Sequence, residues 1–249
     1  MQLPSRLFML LAALAPGWAQ ADTIQVAVAA NFTAPMKAIV TAFEQATGHV
    51  VKAAYGSTGK FYAQISNGAP FEALLAADET TPVKLVEDGL ALDDSRFTYA
   101  VGALVLWSSR EDFVDPDGKV LATGTFKKLA IANPKVAPYG SAAIEVLNGL
   151  DLLAQIAPKF VTGENIAQTY QFVGTGNAEL GFVALSQVMQ DGEISAGSAW
   201  IIPGELHTPI RQDAVILNPG KDKAAVAELL DYLKGEPAQS IIRSFGYEI

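Results

Sequence analysis

The chain has 249 residues, enough for one large or two small domains. Half of them are hydrophobic, 17% are charged and the formal net charge is −9. A sizeable core can be buried, and neither nucleic acid nor an anionic membrane surface suits such a chain as a partner.

Residues 1–21 carry Arg6, an apolar run from Leu7 to Leu14 and the small-residue end Ala19-Gln20-Ala21. That is the pattern of a secretory signal peptide with an A-x-A cleavage site. Cleavage after Ala21 makes Asp22 the first mature residue. Losing Arg6 then leaves 16 basic against 26 acidic residues, a net charge of −10. No later apolar run approaches the roughly 20 residues of a membrane span. The chain has no cysteine, hence no disulfide, no thiol metal ligand and no lipid-bearing cysteine at the cleavage site. The expected product is a soluble, monomeric protein of the periplasm.

From residue 24 onward strands and helices alternate, which predicts an α/β fold. Residues 24–29 read as a strand. A helix follows, with Met36, Ile39, Val40 and Phe43 on one face. Residues 50–54 form the next strand, about 59–67 a helix, 73–77 a short strand and 81–88 a helix. The segment 99–107 reads as one strand, longer than a small sheet needs. Strands at 129–132 and 180–184, helices at 141–147 and 165–173, and extended segments at 199–202 and 210–217 come next. The C-terminus is helical over 223–234 and 237–245. We divide this series into two lobes, residues 22–101 with 209–249 and residues 102–208. Crossing strands near Val101 and Ile210 would form the hinge, and a ligand would bind in the cleft at the strand ends.

Four turns have the composition of a helix N-terminus facing a ligand, two in each lobe. They are Ala29-Ala30-Asn31, Gly56-Ser57-Thr58-Gly59, Pro138-Tyr139-Gly140-Ser141 and Gly163-Glu164-Asn165-Ile166. Free backbone N–H groups at such ends bind anions without a cationic side chain. Any one of them taken alone is more simply read as an ordinary cap. Their number is the signal, together with the failure of sharper motifs. Gly59-Lys60 resembles part of a P-loop, but Ala54 and Phe61 stand where Gly and Ser or Thr are required. His49 and His207, the only histidines, read as surface residues. No nucleophile and base suggest an enzyme. Asp78 either lines the cleft or, more simply, caps the next helix or orients a hinge loop. Lys60 either faces an anion or is solvated.

The segments IQVAVAANFTAPM, YGSTGKFYAQISNGAPFEALLAAD, IANPKVAPYGSAAIEVL, GNAELGFVALSQV and DYLKGEPAQSIIRSFGYEI resemble the periplasmic molybdate-binding proteins of ABC transporters over nearly all of the mature chain. The resemblance implies a type II-like periplasmic-binding-protein fold, with two α/β lobes, each a mostly parallel sheet flanked by helices, closing on a tetrahedral oxyanion. It implies molybdate as ligand with tungstate bound similarly, no cofactor, any metal contact made through the ligand oxygens alone, and an inner-membrane permease as partner. By position, Asn31 matches the polar residue of the first turn and Thr58 the hydroxyl residue of the second, with Ser57 beside it able to share that role. Tyr139 and Ile166 match backbone donors. Many members have Ser where Asn31 stands, and some present a Tyr where this chain has Ala184, so the Tyr139 phenol is expected to replace that donor from across the cleft. A sulfate-, thiosulfate- or phosphate-binding protein, a sensing module without a transporter, and a two-lobe cleft enzyme remain as alternatives.

Overall fold

The computed structural model describes residues 21–190 and 192–249, so the signal-peptide expectation lies outside the described residues. In chain order the elements are β1 (Thr23–Ala29), α1 (Thr33–Thr47), β2 (Val50–Gly56), α2 (Thr58–Ser66), β3 (Ala73–Leu75), α3 (Thr80–Glu87), β4 (Phe97–Gly102), β5 (Leu104–Ser108), α4 (Val120–Thr123), β6 (Leu129–Ala132) and α5 (Pro138–Gly149). There follow α6 (Leu153–Ile156), β7 (Phe160–Gly163), α7 (Ile166–Gly174), β8 (Leu180–Ala184), the short pair β9 (Met189–Gln190) and β10 (Glu193–Ile194), β11 (Ser198–Ile201), β12 (Ile210–Ile216), α8 (Ala224–Lys234) and α9 (Glu236–Ser244).

Two five-stranded sheets result, in the orders β2-β1-β3-β12-β4 and β11-β5-β8-β6-β7. Strands β1, β2 and β3 run parallel, as do β6, β7 and β8. Strand β12 is antiparallel to β3 and β4, and β5 is antiparallel to β8 and β11. Helices cover both faces of each sheet, which is why the strands are apolar in both directions rather than alternating. In the first sheet, Ile24, Val26 and Val28 meet Met36, Ile39 and Phe43 of α1 and Leu229 and Leu233 of α8. On its other face Ala27 and Leu74 meet Phe61 and Ile65 of α2. In the second sheet, Leu106, Ile131 and Phe182 pack on Val146 and Leu147 of α5, and Val105 and Val183 pack on Val173 of α7.

The strand expected over residues 99–107 is in fact two. β4 pairs with β12 in the first sheet, Ala103 lies outside both strands, and β5 pairs in the second. Apolar patterning continues across the break, so periodicity does not register a change of partner. The chain returns between β11 and β12. Helix α2 begins at Thr58 and α5 at Pro138, both earlier than expected; Pro at the first helical position has no N–H to leave unpaired. Strand β7 and the β9–β10 pair were not anticipated.

His49 is not a surface residue. It is buried, its Nδ1 accepts from the Asp22 N–H at 3.1 Å, its Nε2 lies 3.2 Å from Glu228 Oε2, and its ring stacks on Phe43. His207 is partly exposed.

Candidate functional site

Four helix starts converge on one small interlobe cavity. Its walls are Ala29, Ala30 and Asn31, then Gly56, Ser57 and Thr58 with Ala77, then Ala137, Pro138 and Tyr139, then Asn165 and Ile166. All five sequence-predicted site residues therefore border one space. Among the described residues, no charged side chain lines it.

The second turn is the best-defined wall. Ser57 precedes α2 with extended backbone angles, yet its hydroxyl makes no capping bond. It is the one buried side-chain polar atom without a hydrogen-bond partner among the described residues. Buried hydroxyls are normally paired, so an orphan at a cavity wall marks a group placed to bond a ligand. Thr58 Oγ1 accepts from the Ala77 N–H at 2.9 Å. With that lone pair engaged, the Thr58 hydroxyl proton is left to donate. The first N–H groups of a helix lack intrahelical acceptors. Accordingly the Thr58, Tyr139 and Ile166 amides donate to no protein acceptor among the described residues. The fourth turn is set by Asn165, whose Oδ1 caps α7 by accepting from the Gln168 N–H at 3.0 Å.

Two expectations need correction. Asn31, the polar residue of the first turn, sits within a 3₁₀ turn, Ala30–Phe32, and does not turn its side chain to the ligand space. Its Nδ2 donates to Gln212 Oε1 at 2.8 Å and to the Tyr247 hydroxyl at 2.9 Å, so both amide protons go into a buried network and not to the cavity. The Tyr139 phenol does not replace a donor across the cleft either. It accepts from Gln212 Nε2 at 3.2 Å and lies against Gly102. Burial, with Tyr247 and Tyr99 nearby, raises its pKa well above the ordinary value, so it stays a neutral hydroxyl. What Tyr139 brings to the cavity is the first turn of α5. Gln212, Tyr99, Ser186 and Tyr247, which hold these two residues from behind, were not foreseen. They lie on unrelated segments with no motif to connect them.

The lobes touch at the mouth of the cleft. The Gly59 N–H donates to Val136 O at 2.9 Å, and Lys60 Nζ pairs with Glu164 Oε2 at 2.8 Å, both partly exposed. Lys60 is thus a bridging residue of the rim. Asp78 lines the adjoining open part of the cleft and accepts from the Thr81 N–H at 2.7 Å, ordering the turn into α3. Burial first, and Asp213 to a lesser degree, raises the Asp78 pKa above its ordinary 3.8, against the lowering effect of the Thr81 bonds. The folded state therefore holds this proton more tightly than the unfolded chain, and ionisation costs stability as pH rises through that raised value. Asp78→Asn keeps the capping acceptor, so its melting temperature should equal or exceed wild type at pH 7 and lose that advantage below pH 4. Thermal melts at the two pH values check this.

Two α/β lobes joined at a double crossing, with a neutral, donor-lined cavity between them, define the class of two-lobed solute-binding proteins. Residues 24–248 match the family described as bacterial extracellular solute-binding protein, and the chain belongs to that family. It is 59% identical to the molybdate-binding protein ModA of Azotobacter vinelandii over 92% of this chain and 91% of the relative. It is 51% identical to the ModA of Rhodobacter capsulatus, over 92% and 89%. The solved structure of an Azotobacter vinelandii periplasmic molybdate-binding protein matches with a TM-score of 0.88 at 41% identity, covering 91% of this chain and 99% of that one. Among the described residues no helix is long and apolar enough to cross a membrane.

Proposed function

We propose that this chain captures molybdate in the periplasm, binds tungstate in the same way, and delivers the oxyanion to the permease of an ABC transporter, acting as a monomer without cofactor or catalytic step. The observation that carries the reading is the buried, unpartnered Ser57 hydroxyl beside the unpaired amides of Thr58, Tyr139 and Ile166. A dianion removed from water needs donors on every side, and here they are neutral. The names of the close relatives support molybdate as the anion. In this reading the ligand-contacting residues are Asn31, through its backbone, with Ser57, Thr58, Tyr139 and Ile166. The lobes are residues 22–101 with 209–249 and residues 102–208, a division supported by the change of sheet at Ala103 and the return before β12. Closure of the lobes on the anion presents the surface that a permease reads.

Isothermal titration of residues 22–249 with molybdate, tungstate, sulfate and phosphate tests the assignment. Tight one-to-one binding of the first two and weak binding of the others is expected. A preference for sulfate or phosphate would replace molybdate by a smaller oxyanion on the same fold.

Ser57→Ala is the cleaner site variant. It deletes a hydroxyl with no protein partner, so affinity should fall by about 1.5–3 kcal/mol, roughly ten- to a hundredfold, with the melting temperature unchanged. Thr58→Ala should weaken binding similarly, and it also leaves the buried Ala77 N–H without its acceptor, at about 1–3 kcal/mol of stability. Titration and thermal melts of both variants separate the two roles.

A further inference from the structure

We propose that Gln212 is the positioning residue that sets the width of the oxyanion cavity and so its size selectivity; this rests on the oxyanion reading above. Gln212 is fully buried on β12 and flanks the bulge that makes Tyr99 the additional residue of β4. Its Oε1 accepts from Asn31 Nδ2 at 2.8 Å and from the Tyr99 hydroxyl at 3.0 Å, while its Nε2 donates to the Tyr139 hydroxyl at 3.2 Å. Asn31 lies in the first turn, on one lobe, and Tyr139 in the third, on the other. One side chain thus holds both walls of the cavity from behind.

The backbone is cleared for this arrangement. A Cβ on Gly102 would lie 2.1 Å from the Tyr139 hydroxyl and 2.5 Å from Gln212 Nε2, so only glycine lets the bond pass the crossing strand. A second strap runs alongside: Ser186 Oγ donates to Asn31 O at 2.9 Å, and the Tyr247 hydroxyl donates to Ser186 Oγ at 2.9 Å. Apolar contacts are non-directional and let lobes slide. A buried hydrogen bond tolerates only a few tenths of an ångström in length, and its loss leaves desolvated groups unpaired. Tethering the first and third turns through Gln212 therefore fixes their separation on the scale by which tetrahedral oxyanions differ in size.

The test is a two-residue cycle on the full mature chain, with wild type, Gln212→Met, Tyr139→Phe and the double variant titrated with molybdate, tungstate and sulfate. Methionine keeps the length of glutamine without its hydrogen bonds. Asn31 and Tyr99 keep second partners in Tyr247 and Ala76 O, so the fold should survive. Wild type should bind molybdate tightly. In Gln212→Met the sulfate-to-molybdate ratio of dissociation constants should fall by about tenfold or more. It should fall less in Tyr139→Phe, and no further in the double variant than in Gln212→Met, because the two changes remove the same tether. A uniform weakening with the ratio intact, or no change, overturns the proposal. If Gln212→Met does not fold, Tyr139→Phe decides alone, and an unchanged ratio there is equally fatal. A wild-type protein that binds none of the three anions removes the oxyanion reading itself, and this proposal with it.

Discussion

Gly59→Ala should weaken oxyanion binding by about tenfold or more while leaving the unliganded protein as stable as before, or slightly more so. Gly59 lies in the first turn of α2, and its N–H donates to Val136 O across the cleft at 2.9 Å. A Cβ at this position would stand 2.9 Å from Val136 Cα and 3.1 Å from Val136 O. These are main-chain atoms and cannot rotate aside. The lobes must separate, and the amides of the two halves then no longer close on the same ligand. Alanine in place of glycine in a helix otherwise favours the folded state by roughly 0.5–1 kcal/mol. The variant therefore splits affinity from stability. Titration with molybdate and a thermal melt of the ligand-free protein read the two separately. An unchanged dissociation constant would show that this contact is not part of the bound state. The neighbouring Lys60–Glu164 pair should matter far less, since both side chains are largely solvated and such pairs contribute about 0–1 kcal/mol.

The largest loss of stability is expected from Arg96→Ala. Asp213 follows Gln212 on β12, and its carboxylate is almost wholly buried. It accepts from Arg96 Nη1 and from Thr98 Oγ1, each at 2.7 Å. Removing Arg96 leaves a buried anion with one neutral donor. The expected cost is about 3 kcal/mol, the low end of the range for stripping a partner from a buried charge, because Thr98 remains. For a chain of this size that is a fall of roughly 6–12 °C in melting temperature. Adding Asp213→Asn to Arg96→Ala should recover most of it, as the uncompensated charge is gone. A double variant no more stable than the single would mean that Arg96 acts through packing of its stem instead.

The alternation of β1, α1, β2 and α2 was legible because each element has a period or a cap of its own. Four of the turns that border the cavity were legible for the same reason: small and polar residues between a strand and a helix are local signals. The break at Ala103 was not, because Tyr99 to Trp107 is apolar throughout and a strand that changes sheets keeps its pattern. The direction of the Asn31 and Tyr139 side chains was not legible either. It is decided by Gln212 and Tyr247, which are far away in the chain and reach these positions only through the placement of β12 and the C-terminal segment. His49 was misread because a histidine after a helix-ending glycine looks solvent-facing until α8 and Asp22 close over it.

The placement of β12 also has a consequence for the order in which the molecule can form. The second sheet is drawn from one continuous stretch, Leu104 to Ile201, and all its pairings are available once that stretch exists. The first sheet is not. Its fourth strand, β12, comes from residues 210–216 and separates β3 from β4, which have no pairing with each other. Until the C-terminal part of the chain arrives, β3 and β4 each keep an open edge, the kind of surface that recruits other strands. Such long-range pairing is slow to form. The half of the molecule that is synthesised first is therefore the half that is completed last, and a chain cut short before residue 210 would carry a finished second sheet attached to an unsealed first one.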